Sequence, residues 1–308
     1  MSEHGELALP WLPEGRVLRL EGRGEVFVRL HRHADADAPV VVLLHGWTAS
    51  SDLQFVAAYE ALAERCTFVG IDERGHGRGI RSPAPFSLED AADDAAAVIR
   101  QLGLGPVIVV GYSMGGPIAM HLTRRHPALV RGLVVQATAL EWRGTRRERA
   151  MWRFVRFAGR AFRSRGYRRA VNRAMTKWLG GPQHVLAPYV SWLVAEMSRG
   201  DAFAMVDAGR ALSRYDARPW AGDLGVPAAS LITTKDRLVP PRKQRQLAEA
   251  LGATVRELPG DHLAALVDAT DDSRLTVELI ELVAAASSAR SMTASPPAEA
   301  GSVNPSVA

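Results

Sequence analysis

The residues best suited to chemistry surround Ser113, in the segment Gly-Tyr-Ser-Met-Gly. Four β-branched residues precede this segment, as in a buried strand, and apolar residues at helical spacing follow it. A serine hydroxyl is a poor nucleophile unless it is exposed, beside a base and close to backbone N–H donors. A sharp turn from a strand into a helix provides that exposure and places the N–H of Met114 near a developing oxyanion. The pattern therefore predicts Ser113 as a nucleophile, and the alternative is a surface serine in a glycine-rich loop.

A serine nucleophile also needs a base, and an acid that orients the base. Two later loops carry such residues, because Asp236 follows the predicted strand at 228–233 and His262 follows the one at 254–258. The carboxyl ends of parallel strands meet at one edge of a sheet, so these side chains are candidates for a single site. Asp261 is a weaker candidate for the acid, since consecutive residues in a loop rarely face each other.

These residues must be positioned by a framework in which strands and helices alternate. Predicted strands lie at 17–20, 25–31, 40–44, 67–71, 107–110, 132–136, 228–233 and 254–258, and predicted helices at 52–64, 88–101, 241–251 and 273–286. Such alternation indicates right-handed βαβ units. The predicted fold class is therefore α/β, with a mostly parallel central sheet flanked by helices.

The alternation stops part-way along the chain and then resumes, which divides the sequence into four segments. Residues 1–140 and 219–287 are predicted to form the two parts of one α/β core. Residues 141–218 show helical periodicity without a buried-type strand and are predicted to be a basic helical insertion. Residues 288–308 are rich in Ser, Pro and Ala, and we expect them to be a disordered tail.

Several motifs together resemble the α/β-hydrolase superfamily over about residues 15–287. Besides the Gly-Tyr-Ser-Met-Gly-Gly segment, they are His-Gly-Trp at 45–47, Asp-x-Arg-Gly-x-Gly at 72–77, the Asp that precedes Val-Pro, and the late His, in the family's order. The resemblance implies Ser113 as nucleophile, His262 as general base and Asp236 as the acid that holds the imidazole. It also implies an oxyanion hole formed by the N–H groups of Trp47 and Met114, and a cap over the site formed by the insertion.

The type of nucleophile narrows the chemistry. Haloalkane dehalogenases and epoxide hydrolases of this fold carry an aspartate where Ser113 stands, so the serine favours acyl-enzyme chemistry on an ester, thioester or lactone. We expect an esterase- or lipase-like enzyme that acts on a small hydrophobic ester or a lipid, releases a hydrophobic acyl group and needs no metal or organic cofactor. The alternatives are a cofactor-free C–C hydrolase, a haloperoxidase- or perhydrolase-like enzyme, and a non-catalytic ligand receptor or lipid-surface binding protein.

Composition limits the class of protein and its location. The single cysteine, Cys66, allows no intrachain disulfide and no cysteine metal cluster, and His31 and His33 lack further ligands nearby. Neither a secretory signal nor a run of 18 apolar residues is visible, so we expect a cytoplasmic protein. We also expect His45 and His76 to be structural residues.

The net charge of +5 is unevenly distributed, because residues 142–177 hold twelve arginines and one lysine against one acid. Five of the arginines recur at three- and four-residue steps and share one face of a predicted helix: Arg149, Arg153, Arg156, Arg160 and Arg163. One interpretation is binding to an anionic membrane surface, and the other is a cap helix whose arginines point into water. Nucleic-acid binding is not expected, since no reading motif accompanies the charge.

Overall fold

The computed structural model describes residues 10–146, 148–153, 166, 173 and 189–294. The strands of its central sheet are β1 (Glu14–Leu20), β2 (Gly24–His31), β3 (Val40–Leu44), β4 (Thr67–Ile71), β5 (Val107–Tyr112), β6 (Val130–Gln136), β7 (Ala228–Thr233) and β8 (Thr254–Leu258). Their order in the sheet is β1-β2-β4-β3-β5-β6-β7-β8. The strands from β4 to β8 are parallel, whereas β1 and β2 form an antiparallel hairpin that joins the edge of β4. The predicted α/β class with a mostly parallel sheet is therefore confirmed.

The strand order places a topological switch point between β3 and β5. The chain leaves β3 toward β4 on one side, and leaves β5 toward β6 on the other. Connections that run in opposite directions leave a crevice at the carboxyl ends of the two strands, which is where open α/β sheets bind ligands. The loop after β3 carries His-Gly-Trp and the turn after β5 carries Ser113, so both motifs lie at this crevice.

Helices cover both faces of the sheet. They are α1 (Ser51–Phe55), α2 (Tyr59–Ala63), α3 (Leu88–Gln101), α4 (Gly115–Arg125), α5 (Val190–Met197), α6 (Ala202–Leu212), α7 (Pro241–Ala250), α8 (Ala264–Val267) and α9 (Ala269–Ala294). Alternate residues of β3 face opposite sides, with Val41 and Leu43 in a cluster with α1, α2 and α9, and Val42 and Leu44 in a cluster with α3 and α4. This alternation explains why the buried strands read as continuous apolar runs. None of the helices among the described residues is long and apolar enough to span a membrane.

Two predicted helices differ from the structure in their bounds. The predicted helix at 52–64 is two short helices, α1 and α2, separated by a turn, which allows the Tyr59 hydroxyl to reach the side chains of Ser51 (2.9 Å) and Asp52 (3.2 Å). The final helix, α9, begins four residues before and ends eight residues after the predicted bounds of 273–286. Residues 288–294, which we assigned to the tail, are therefore helical. They continue an Ala- and Ser-rich sequence that contains no proline before Pro296.

The ends of the insertion meet beside the core. Glu141 forms an isolated antiparallel bridge with Asp216, so the chain leaves and re-enters the sheet region at one place. The buried amine of Lys243 on α7 lies 2.8 Å from carboxylate oxygens of both Glu141 and Glu148. Because a buried cation needs paired anions, this cluster fixes the start of the insertion against the core.

A second ion cluster joins α5 to the core. The guanidinium of Arg78 lies 2.6 Å from the fully buried carboxylate of Asp52 and 3.4 Å from that of Glu196 on α5. Arg29 also pairs with Asp52, at 2.8 Å. The described part of the insertion is thus attached to the core through buried charges as well as through apolar contacts.

Candidate active site

Ser113 occupies a strained turn between β5 and α4. Its φ of 51° lies in the left-handed region, which is uncommon for a residue other than glycine. Its N–H donates to the carbonyl oxygen of Gln136 at 2.9 Å, which anchors the turn to β6. A Cβ at Gly111 would clash with the backbone of Gly115, and one at Gly115 with the carbonyl oxygen of Leu44. The two glycines of the motif are therefore required by the close approach of α4 to the strands.

The serine, the histidine and the aspartate form one hydrogen-bonded chain. His262 Nε2 lies 3.0 Å from the Oγ of Ser113, and His262 Nδ1 lies 2.7 Å from Asp236 Oδ2. The loop that carries His262 is anchored by Tyr112, whose hydroxyl donates to the carbonyl oxygen of His262 at 3.1 Å. The structure thus brings together three residues that are widely separated in the sequence.

The carboxylate of Asp236 is fully buried and fixed in orientation by its hydrogen bonds. Oδ1 accepts from the N–H groups of Leu238 and Val239, both at 2.8 Å. Oδ2 accepts from the Thr233 hydroxyl (3.0 Å) and from the Gln244 amide (3.3 Å), as well as facing the imidazole. Such a set of donors leaves the carboxylate no freedom to rotate.

Asp261, the weaker candidate for the acid, has a different partner. Its Oδ1 accepts from the N–H of Leu263 at 2.8 Å, so this side chain stabilises the turn after β8. The imidazole of His262 has Asp236 on its Nδ1. Of the two aspartates, Asp236 is the one in position to hold the imidazole.

The predicted oxyanion donors lie beside the serine. The loop after β3 passes close to the turn, since a Cβ on Gly46 would lie 3.4 Å from the Cβ of Ser113. Within the described residues, the backbone N–H groups of Trp47 and Met114 donate to no acceptor. Thr48 has a φ of 66°, so the loop, like the serine turn, holds a strained backbone position. Two amide donors without partners at a nucleophile are the arrangement that binds an oxyanion.

Two buried histidines support this loop and take no part in the chain of hydrogen bonds. The ring of His45 accepts a hydrogen bond at Nε2 from the N–H of Glu73 (3.0 Å) and approaches the carbonyl oxygen of Gly46 through Nδ1 (2.8 Å). Burial lowers the pKa of His45 to about 4 and that of His76 to about 3. Both rings are therefore neutral near pH 7, in agreement with the structural role that we expected.

A small, mainly apolar cavity opens on the serine. Its volume is ≈ 140 Å³. Besides Ser113 and His262, its lining includes Leu53, Leu193, Met197, Leu263, Ala265 and Leu266. Leu193 and Met197 lie on α5, so the insertion contributes one wall of the cavity. Among the described residues, no group of three or more His, Cys, Asp or Glu side chains is arranged to hold a metal ion.

The side chain of Trp47 connects the oxyanion loop to the insertion, which the sequence did not indicate. Its indole N–H donates to the carbonyl oxygen of Met205 on α6 at 2.7 Å. Gly209, one turn further along α6, lies against the same indole, where a Cβ would be 2.7 Å from Cζ2. The only local sign of this packing was a glycine inside an otherwise good helix pattern.

The predicted basic face falls mostly outside the described residues. Arg149 and Arg153 are described, and the first of them donates to the carbonyl oxygens of Arg143 (3.1 Å) and Gly144 (3.2 Å). The other three arginines of this face, at 156, 160 and 163, lie outside the described residues. Binding to a membrane surface therefore stays a prediction.

Comparison with known proteins places this site in a family. A family model for the alpha/beta hydrolase fold matches residues 39–269, which is most of the chain. The chain belongs to the α/β-hydrolase family. Pimeloyl-[acyl-carrier protein] methyl ester esterase of Chromobacterium violaceum is 31% identical over 247 residues, which cover 79% of this hydrolase and 94% of that protein.

Other relatives of the hydrolase are similar over shorter stretches. The 2-(acetamidomethylene)succinate hydrolase of Mesorhizobium japonicum is 32% identical over 107 residues, 35% of this chain and 38% of that protein. This chain also spans only about a third of the length of several other curated relatives. Two solved structures share the fold. An enol-lactonase from Burkholderia xenovorans has a TM-score of 0.73 and 20% identity, and the match covers 86% of this chain and 100% of that one. An esterase from Exiguobacterium antarcticum has a TM-score of 0.74 and 19% identity, and the match covers 87% of this chain and 100% of that one.

Proposed function

We propose that this hydrolase cleaves a carboxylic ester through an acyl-enzyme on Ser113. The observation that carries the proposal is the hydrogen-bonded chain from the buried Asp236 through His262 to the serine. The backbone amides of Trp47 and Met114, which have no acceptor among the described residues, complete the set of groups that acyl transfer requires.

In the first half of the reaction, the Oγ of Ser113 attacks the ester carbonyl while Nε2 of His262 takes its proton. The carbonyl oxygen becomes an oxyanion, to which the N–H groups of Trp47 and Met114 donate. Asp236 stabilises the imidazolium that forms. When the tetrahedral intermediate collapses, the C–O bond to the alcohol breaks, and the imidazolium gives its proton to the departing alcohol oxygen.

In the second half, water takes the place of the alcohol. His262 removes a proton from this water as its oxygen attacks the acyl carbon. A second tetrahedral intermediate forms in the same oxyanion site. Its collapse breaks the bond to Ser113 Oγ, which recovers a proton from the imidazolium, and the carboxylic acid leaves.

The lining of the cavity supports an apolar substrate. Leucine, methionine and alanine side chains of α1, α5 and α8 surround the serine, and the described residues of the lining include no lysine, arginine, aspartate or glutamate. A charged group at this position would lose its hydration without gaining a partner, so an uncharged hydrophobic acyl or alkyl group fits best. A relative that matches most of the chain is named as a methyl ester esterase, which agrees with a carboxylic ester as the reacting group.

A chain-length series of p-nitrophenyl esters tests the proposal. We expect the wild-type protein to hydrolyse these esters, and Ser113→Ala to lose turnover while it still binds them. Saturable binding without turnover by the wild-type protein would instead show a ligand receptor on the same fold. Cleavage of carbon–carbon substrates or peracid formation, with no hydrolysis of any ester in the series, would also contradict the ester assignment.

A further inference from the structure

A second cavity, whose lining differs in chemical type from that of the catalytic cavity, lies in the insertion. Its volume is ≈ 350 Å³, and the described residues that line it are Arg143, Trp152, Arg153, Arg210, Ser213 and Arg214. We refer to it as the arginine cavity. Four of these six described residues are arginines, and none of the six is acidic. The arginine cavity is therefore strongly positive, whereas the catalytic cavity is apolar.

The arginine cavity is built from three segments that the fold brings together. Arg143 lies on the segment that leaves the sheet, and Trp152 and Arg153 lie in the helical residues 148–153. The other three, Arg210, Ser213 and Arg214, lie at the end of α6 or directly after it. The indole of Trp152 is buried and fixed, since its N–H donates to the carbonyl oxygen of Trp142 at 2.7 Å. The cavity thus has a rigid aromatic wall in addition to its guanidinium groups.

Most of this positive charge is unneutralised within the described residues. Arg210 pairs with Asp207 at 2.7 Å. The guanidinium groups of Arg143, Arg153 and Arg214 form no ion pair or side-chain hydrogen bond with any described residue, and all three side chains are exposed. Like charges held around one cavity repel each other, and an anion that enters removes that repulsion.

The chemistry of the guanidinium group selects among anions. Its planar fork donates two parallel hydrogen bonds, which match the oxygen spacing of a phosphate or a carboxylate. Three forks around one space, none of them paired with a described residue, exceed what the two oxygens of a carboxylate can accept, whereas a phosphate offers more oxygens and up to two charges. The volume leaves room for an organic group beside the phosphate, and the buried Trp152 forms part of the lining of that space.

We propose that the arginine cavity is a binding site for the phosphate group of a small organic phosphate. The site adjoins the catalytic one, because the ring of Trp152 packs on the ring of Trp47 with centroids 5.9 Å apart. Trp47 also lines the catalytic cavity. The phosphate belongs either to a free ligand or to a distant part of the ester itself. The proposal concerns binding alone, so it stands independently of the ester hydrolysis proposed above.

Calorimetric titration with inorganic pyrophosphate at low ionic strength tests the site on the full chain. We expect saturable binding to the wild-type protein and a dissociation constant at least about ten-fold higher in the double variant Arg153→Gln/Arg214→Gln, because two charge-assisted contacts are lost. The control is Arg65→Gln/Arg274→Gln, which removes the same charge from exposed arginines on other parts of the surface (side-chain exposure 63% and 61%). It should bind within about two-fold of the wild type.

Equal weakening in both double variants would overturn the proposal, since it would show a general effect of net charge. Absence of saturable binding to the wild-type protein would overturn it as well. Thermal unfolding of both variants checks that the fold is intact, which is expected because the substituted side chains are exposed. If the phosphate is part of the substrate, KM for a phosphate-bearing ester is lower than for its neutral analogue, and only the Arg153→Gln/Arg214→Gln variant loses that difference. If the ligand is free, the two esters have equal KM and pyrophosphate binding is the only property that the variant loses.

Discussion

Replacing Asp236 with asparagine tests the proposed roles of His262 and Asp236, because it changes which imidazole nitrogen carries the proton. The position of the new amide is fixed by the surrounding donors. Because the N–H groups of Leu238 and Val239 both point at Oδ1, the carbonyl oxygen of the asparagine must take that place. Its NH₂ group then occupies the place of Oδ2, facing Nδ1 of His262 at 2.7 Å.

An NH₂ group at that position donates, so Nδ1 must become the acceptor and the ring proton must move to Nε2. In this tautomer Nε2 points a hydrogen at Ser113, 3.0 Å away, and cannot take the serine proton. We expect kcat to fall by about 10⁴-fold, which corresponds to about 5 kcal/mol of lost transition-state stabilisation. Binding of the ester should change little, because Asp236 is buried behind the imidazole.

The assay is steady-state hydrolysis of a p-nitrophenyl ester, with thermal unfolding as the check on the fold. Asp261→Asn is the matched control, since this carboxylate adjoins His262 in the sequence but accepts from the N–H of Leu263. It should retain activity within about three-fold, as expected for a side chain that makes one exposed turn contact. Near-wild-type turnover of Asp236→Asn, or a larger loss in Asp261→Asn, would refute the reasoning.

Three further predictions concern packing and pH. Gly115→Ala places a Cβ against the carbonyl oxygen of Leu44, so we expect the free energy of unfolding to fall by about 2 kcal/mol or more in urea denaturation. Gly209→Ala places a Cβ 2.7 Å from the Trp47 indole, and the displaced oxyanion loop should lower kcat/KM between about 10- and 100-fold in ester hydrolysis. Burial raises the pKa of Asp272 to about 7, so its ionisation destabilises the fold as pH rises from about 4 to about 7. Asp272→Asn should therefore be increasingly more stable than the wild type across that range, by at most about 4 kcal/mol, when denaturation is followed against pH.

Matched variants separate these effects from general damage. Gly222→Ala adds a Cβ at ordinary contact distance, 3.4 Å from the carbonyl oxygen of Ala250, and should change stability little. A loss of stability as large as that of Gly115→Ala would show that close approach is not the cause. Asp271 precedes Asp272 on α9 but is exposed, so Asp271→Asn should keep the pH profile of the wild type. Parallel pH profiles for Asp272→Asn and the wild type would contradict the assigned burial effect.

The sheet and the order of the functional residues could be predicted because both depend on local patterns. Buried parallel strands read as short apolar runs, and the turn at Ser113 is defined by its own glycines and by the strand before it. The chain order of serine, aspartate and histidine followed from loops that come directly after strands. These features need no knowledge of how distant segments pack.

The groups that fix these residues could not be predicted, because their partners are distant in the sequence or lack a periodic pattern. The Gln244 amide reaches Asp236 from α7, and the indole of Trp47 reaches the carbonyl oxygen of Met205 on α6, 158 residues along the chain. The break between α1 and α2 depends on a buried hydroxyl network around Tyr59. Tertiary hydrogen bonds of this kind override helical periodicity, which describes only neighbours in the sequence.

Labelling with a fluorophosphonate probe tests most directly whether Ser113 is the nucleophile. The probe forms a covalent bond with an activated serine, and peptide mass spectrometry identifies the residue. We expect a single adduct on the peptide that contains Ser113, loss of this adduct in Ser113→Ala, and much slower labelling of Asp236→Asn. An adduct on another residue, or labelling of Ser113→Ala at the wild-type rate, would contradict it.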